Sequence, residues 1–343
     1  HVKLDEVLVV GYSTSSKKLI SGSVTAVSES EIKNVPLRTI DGVLQGKAAG
    51  VSITQNSGTP GGQSAIKLRG GSSINAGNQP LIIIDGVPAI TGSFGQIGYS
   101  GQEIDALSDL NPGDIESFTI LKDASATAIY GARGSNGVIL ITTKKGSQQK
   151  TEVNLSTSYG FQSFPEERKL KLMNARQWNE YKGTDVQGID TDWMKEILQV
   201  APTSNTELSL SSGNDKTRIF LSGNFYNQVG TVKGTSFDRY SGRLNVDHKI
   251  LKNLSIGASV SMASSKNNRV EGDQTLFGPL PNALSIPAIY PVYNEDGSYN
   301  EDGPYANPVA ISNETVNVAH TNRNVGNAFL EYKFLDYFTF NTK

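Results

Sequence analysis

The sequence predicts an α+β domain followed by antiparallel strands of an incomplete transmembrane β-barrel. Three observations carry this reading. Up to about residue 146 the chain consists of short β-rich runs and brief helical patterns, separated by clusters of Gly, Pro, Asn and Ser. After Gly146 it changes to long strands in which apolar and small polar residues alternate. The last stretch, "LDYFTFNTK", lies inside such a strand pattern, and a sheet left open there exposes a long unpaired edge, as expected of a piece of a larger barrel.

Bulk composition bounds the function. With 343 residues, 37% hydrophobic and 35 of them glycine, the chain can bury a core. Its length suits two domains of about 100 to 200 residues each. The net charge of −2 and pI near 6.0 offer no basic field for a polyanion, so nucleic acid is not an expected partner. The absence of cysteine excludes disulfides, thiolate metal sites and a cysteine nucleophile. No run approaches the roughly 20 apolar residues of a membrane helix, and "HVKLDEVLVV" lacks the charge and apolar regions of a signal peptide. The chain is then either soluble or meets a membrane by another route.

Taken in order, "LDEVLVVGYS" (4–13) reads as an extended strand with no obvious neighbouring partner, and 13–23 as a polar linker. A strand is expected over 23–27. Ile40, Val43, Leu44 and Ala48 fall at helical spacing, with Thr39 or Asp41 able to cap the start and Gly50 placed to end it. "GVSITQ", "SAIKLRGGSS", "PLIIIDGVP" and "IESFTIL" read as short strands. Asp123 can cap a helix over 124–130, and Gly131 can supply a positive φ at its end. "GVILITTKK" lacks alternation, as a strand buried on both faces should. Residues 20–146 thus form the predicted α+β domain.

Beyond Gly146, seven segments alternate. In "TEVNLSTSYGFQ", Val153, Leu155, Tyr159 and Phe161 share one face; in "NLSIGASVSMAS", Leu254, Ile256, Val260 and Met262 do, against Ser255, Ser259 and Ser261. "RIFLSGNF", "RYSGRLNVDH", "NAFLEYKF" and, more weakly, "TELSLSS" and "YFTFNT" repeat the pattern. Alternation fits a half-buried soluble sheet as well as a barrel wall. The polar faces, however, are mostly Ser, Asn, Gly and Thr, and Tyr159, Phe161, Phe225, Tyr226, Tyr332 and Phe334 gather towards strand ends like an interfacial girdle. Long irregular stretches are expected over 164–203 and 267–321.

The combination of "LDEVLVVGYS", "VLQGKAAGVSITQNSGTPGG", "IKLRGGSSINAGNQPLIIIDGVP", "LNPGDIESFTILKDASATAIYGARGSNGVILITTKKG" and "NQVGTVKGTSFDRYSGRLN" resembles the SusC/RagA-like TonB-linked outer-membrane transporters, over nearly the whole chain. The resemblance implies an energy-coupling TonB box and linker over 1–19, a plug domain over 20–146, and the N-terminal part of a large plugged outer-membrane barrel with long loops over 147–343. It implies TonB-dependent import of an oligosaccharide or peptide, a TonB-type coupling protein and a SusD-like surface lipoprotein as partners, and outer-membrane lipid around the wall. The chain is then an internal piece of a longer protein, and no enzyme. A soluble or surface-exposed β-rich binding module or adhesin is the alternative.

The TonB box falls on Asp5, Glu6, Val7, Leu8, Val9, Val10, Gly11 and Tyr12, which would be captured by strand addition; locally, the same residues could be an ordinary first strand. Arg69, Asp85, Asp123 and Arg133 are the plug charges that could form a gating ion-pair network, although Asp85 before glycine and Asp123 before a helix also suit turn and capping duty. No cofactor is expected. "GARGSNG" lacks the spacing of a phosphate loop, and the acidic "YNEDGSYNEDGPY" lacks the ligand intervals of a calcium loop. His1, His248 and His320 lie far apart, so neither a metal site nor a catalytic triad is expected. In "DTDWMKEIL", Trp193, Ile197 and Leu198 are expected to pack rather than to serve catalysis by Asp190, Asp192 and Glu196.

Overall fold

The computed structural model describes residues 7–10, 13–16, 24–33, 39–55, 58–62, 64–68, 79–89, 107–147, 150–270, 277–334 and 338–342. The chain opens with a hairpin of β1 (Val7–Val10) and β2 (Ser13–Ser16), in antiparallel register from Val7 opposite Ser16 to Val10 opposite Ser13. The first strand therefore has a neighbour, contrary to the expectation of a lone strand, and the expected linker supplies it. Ser and Thr pair with valines through main-chain bonds alone, and an isolated two-stranded sheet is at most marginally stable in water.

A five-stranded sheet follows, with order β3 (Val24–Ser28), β8 (Ile115–Leu121), β9 (Val138–Thr143), β6 (Leu81–Ile84) and β7 (Val87–Pro88). β6 and β9 run parallel and the other pairs antiparallel. Both faces are covered, and the period of two sorts the side chains. Ile82, Ile84, Ile139, Ile141, Phe118 and Ile120 face a core with α1 (Glu29–Lys33) and α2 (Ile40–Leu44). Leu81, Ile83, Val138, Leu140 and Leu121 face the other way, towards Ala126 of α3 (Ala124–Thr127) and Tyr130. α1 went unread in the sequence, although its signature is there: Glu31 accepts from both the backbone N–H and the hydroxyl of Ser28, half of a Ser-x-x-Glu capping box. A separate pair, β4 (Ser52–Gln55) and β5 (Ser64–Lys67), flanks the core.

After α3 the helix breaks into 3-10 turns at Gly131, whose φ of 59° and ψ of −149° are closed to other residues at little cost. Asp123 sits in extended conformation at the N-cap, but its side chain makes no capping bond. Only its backbone carbonyl engages the helix, accepting from Thr127 N–H.

The second sheet is a meander of seven antiparallel strands, β10 (Glu152–Gln162), β11 (Ala201–Gly213), β12 (Thr217–Val229), β13 (Ser236–Leu251), β14 (Leu254–Arg269), β15 (Asn317–Phe334) and β16 (Phe338–Thr342). Its register lays apolar residues in continuous rows: Val153, Leu210, Leu221, Leu244 and Val260 stand opposite one another across β10 to β14. Above lies a row with Phe225 and Tyr240, whose rings are 4.7 Å apart; below lie Tyr332, Phe334 and Phe338, stacked in sequence. The Tyr240 row meets β15 at Asn322 and the lower girdle begins at Tyr332. That span is about 33 Å of strand at about 3.3 Å per residue, or about 25 Å of height at a tilt of about 40°. Aromatic girdles about 25 Å apart around an exposed apolar band fit the hydrocarbon of a membrane, not water.

At the rim nearer Tyr240, strands are joined by long connections, 163–200 and 270–316; at the other rim the connections are only a few residues long, such as 214–216 and 252–253. The two long connections are more ordered than the sequence suggests. They carry α4 (Ala175–Lys182), α5 (Trp193–Ile197), α6 (Pro279–Ser285) and α7 (Pro308–Glu314), and Trp193, Met194, Ile197, Ala283, Ile286 and Val309 form a core of their own. Trp193 Nε1 donates to the carbonyl of Pro287 at 3.1 Å. Packing thus accounts for Trp193 and Ile197, as read from the sequence.

The rows place Val260 near mid-height and Ile256 closer to the lower girdle. In the full-length protein, Val260→Arg should destabilise the folded barrel by about 2 to 4 kcal/mol, and the inward Ser255→Arg far less. Urea titration in lipid vesicles checks this; equal costs at the two positions would reverse the facing assignment.

Candidate functional site: the seam between domain and wall

The inward faces of β12 to β15 are polar and carry buried cations, and the α+β domain is seated against them. On β13, alternation points Tyr240, Gly242 and Leu244 outward and Arg239, Arg243 and Asn245 inward. Arg239 is 2% exposed. Its Nη1 donates to the carbonyls of Ser108 at 2.6 Å and Leu110 at 2.8 Å, its Nη2 to Asn224 Oδ1 at 3.1 Å, and its guanidinium lies 5.4 Å from the Tyr226 ring centre. Charge-assisted bonds this short are the strong kind.

Arg243 is held more loosely, by several partners. Its Nη1 lies 3.5 Å from Asp85 Oδ2, and its Nε 3.8 Å from Asp114 Oδ2. These are ionic contacts rather than short hydrogen bonds. Asp85 is fixed by Thr143, whose N–H and hydroxyl donate to its two oxygens at 2.9 and 2.7 Å. Asp114 accepts from Ser222 Oγ at 2.5 Å, and Asn245 Nδ2 donates to Thr143 Oγ1 and to the Lys144 carbonyl. Further along, Asp109 accepts from Ser265 Oγ at 2.9 Å and pairs with Arg323 at 3.4 Å. Asn267 Nδ2 donates to the Pro60 carbonyl, beside Gly61, where a Cβ would come within 2.6 Å of the Phe237 ring.

Of the four charges singled out in the domain, the structure brings Asp85 into this network, at a tight turn with φ of 49°. Asp123 lies outside it, and Arg133 is exposed on the turn after α3 and takes part in none of the ion pairs among the described residues. Arg69 lies outside the described residues, as do Asp5, Glu6, Gly11 and Tyr12; Val7, Leu8, Val9 and Val10 form β1. Sequence reading missed Arg239, Arg243, Arg323, Asp109 and Asp114. A signal was present in "DRYSGRLN": two arginines four residues apart on the polar face of a membrane-type strand must meet partners inside.

Burial raises the carboxyls of Asp109, Asp114 and Glu116 above their ordinary range. For Asp109 the bond from Ser265 and the charges of Arg323 and Arg239 oppose the shift; for Asp114 Ser222, Arg243 and Lys144 oppose it; for Glu116 Lys145 does. Burial outweighs pairing at each. Among the described residues no cluster of three or more His, Asp or Glu could hold a metal ion. The arrangement is suited to holding one folded body against another through bonds that water can replace, and offers no arranged nucleophile or acid–base pair.

Arg243→Leu leaves Asp85 and Asp114 buried beside no guanidinium, and should weaken the seating by about 3 kcal/mol, whereas Arg133→Leu should change little. Protease sensitivity of the domain in urea, inside the full-length protein, measures both; equal effects would remove Arg243 from the seam. Because the raised carboxyls keep protons in the seated state, their contribution is fully present below about pH 4 and is lost as pH rises through their raised values. The same assay run from pH 4 to pH 8 should show seating weaken with pH; strengthening would contradict the burial of these groups.

Residues 16–138 match the model of the TonB-dependent Receptor Plug Domain. TonB-dependent receptor P3 of Formosa agariphila is 35% identical over 99% of this chain and 34% of its own length. TonB-dependent receptor SusC of Bacteroides thetaiotaomicron is 32% identical over 96% of this chain and 35% of its own. The chain therefore spans about a third of these relatives. Among solved structures, the RagAB peptide transporter superposes with a TM-score of 0.76 at 25% identity, covering 92% of this chain and 40% of that one. Together with the polar seam and the girdled sheet, these likenesses place the chain among the SusC/RagA-like TonB-dependent receptors of the outer membrane, of which it carries a plug domain and antiparallel strands of the barrel wall.

Proposed function

We propose that the protein is an active importer of an oligosaccharide or peptide nutrient across the outer membrane. In this reading 1–19 couple energy, 20–146 are the plug and 147–343 the first part of the wall. The observation that carries it is the seam: a domain with its own apolar core, held against the polar lumen face of a membrane sheet by replaceable polar bonds. A body meant to stay for good would be expected to have an apolar interface; one meant to be shifted needs bonds that water can take over.

The β1–β2 hairpin supports the coupling role of Asp5 to Tyr12. A TonB-type partner that adds a strand to β1 has to displace only the four pairs with β2, a marginal two-stranded sheet. The likeness to RagAB, whose title names a peptide transporter, favours a nutrient of peptide size, and the likeness to SusC and RagAB supports a SusD-like lipoprotein lid above the long connections.

Deleting 5–12 in the full-length protein should abolish energised uptake while leaving the level of folded, heat-modifiable barrel unchanged. Uptake is measured with defined oligosaccharides and oligopeptides against a strain lacking the gene. Loss of folded barrel in proportion to lost uptake would make the segment structural and end the coupling reading.

A further inference from the structure

The seam is uneven around the wall. On the side of β13 to β15, the tethers converge on Asp85, Ser108, Asp109, Leu110, Asp114 and Thr143. On the side of β10 and β11 the plug stands off and leaves a cavity of about 390 Å³. Asn154, Asn205 and Glu207 line its wall, and Glu29 and Ile32 of α1, with the 111–115 turn, line its plug side. Two donors of lining residues lack a hydrogen-bond partner: Nδ2 of Asn111, 4% exposed, and Nε of Arg239, 2% exposed. The charges of Glu29 and Glu207 balance those of Lys144 and Arg239. Such a lining suits water and solutes rich in hydroxyl or amide groups rather than a strong ion.

The element beside this cavity is also the one nearest the pulled end. α1 follows directly on β3, which is an edge strand with five residue pairs to β8 and no partner strand on its other side. Among the described residues of β3 and α1, Val27 and Ile32 are the buried apolar side chains. Lys144 ties α1 to the end of β9 through Glu29 at 3.2 Å, with the Glu29 side chain 39% exposed. A pair so open to water holds weakly. Tension from the N-terminus therefore loads the least anchored part of the plug first.

We propose that β3 and α1 are the part drawn off, and that the cavity along β10 and β11 then widens into the passage for a hydroxyl- or amide-rich nutrient while the 107–114 turn stays tethered to β13–β15. The proposal rests on the importer reading above. Since the sequence has no cysteine, single cysteines can report it. Asn205 on the cavity wall and Ser265 at the tether are 6% and 5% exposed. Full-length Asn205→Cys and Ser265→Cys proteins, with any cysteine outside this sequence replaced, are treated in cells with membrane-impermeant fluorescein maleimide, with and without a protonophore. Ser209→Cys, also on the cavity wall, replaces Asn205→Cys if that barrel fails to assemble.

The expected result is several-fold faster labelling at position 205 in energised cells, abolished by the protonophore, and none at position 265. A second arm adds Glu29→Cys and Lys144→Cys to the Asn205→Cys protein; oxidation of that pair should stop the labelling and reductant should restore it. Energised labelling at 265 as fast as at 205 overturns the proposal and leaves energy-driven opening intact. Labelling at 205 that persists with the oxidised pair also overturns it. No response to energy at either position overturns both the proposal and the importer reading.

Discussion

Arg239 and Arg243 reach from one wall strand into a space closed to water, and their need for partners constrains the rest of the structure. An unpaired buried guanidinium costs several kcal/mol, so the 108–114 turn, Asp85 and Thr143 must stand where they do. The same two side chains fix the register of β13. A slip of one residue would turn both arginines into lipid and Leu244 into the lumen, and every strand paired in the sheet would have to follow. The plug's own fold is less dependent on the wall, since its sheet is covered on both faces by its own side chains. Two stable bodies therefore meet through a polar surface, and that surface can open without unfolding either one.

The long alternating strands were legible because lipid on one side and a polar lumen on the other impose the period of two on the sequence. The β9 strand was legible for the opposite reason, as a run buried on both faces. What escaped reading was whatever depends on contacts between distant segments. Nothing local in "LSDLNPGD" says that its carbonyls receive an arginine more than a hundred residues away. α1 is short, with its capping pair in "SESE" overlooked, and α4 to α7 lie in stretches where Pro and Asn suggested irregular chain but serve as N-caps and first-turn residues instead. Asp85 was legible as a turn residue, yet its second role depends on Thr143 and Arg243, neither near it in sequence. Asp123 and Arg133 attracted notice as charges, but helix boundaries alone explain where they sit.

The two ends of the barrel wall divide the work by connection length. Short links at the lower rim keep neighbouring strands in register, while the long upper connections fold together into a small body centred on Trp193. That body shapes the mouth on the side away from the N-terminal hairpin and leaves the lumen face to the plug. Its stability comes from packing between two separate connections, so either one altered would loosen the other.

The central claim is that the plug is seated by direct coupling between buried wall arginines and plug carboxylates. A double-mutant cycle on Arg243→Met and Asp114→Asn, read as urea-induced exposure of the plug in the full-length protein in lipid, tests it most directly. The 3.8 Å separation of these groups leads us to expect a coupling free energy of about 1 to 2 kcal/mol. Effects that add to within about 0.3 kcal/mol would show the two groups to be independent, and would contradict a seam built on their pairing.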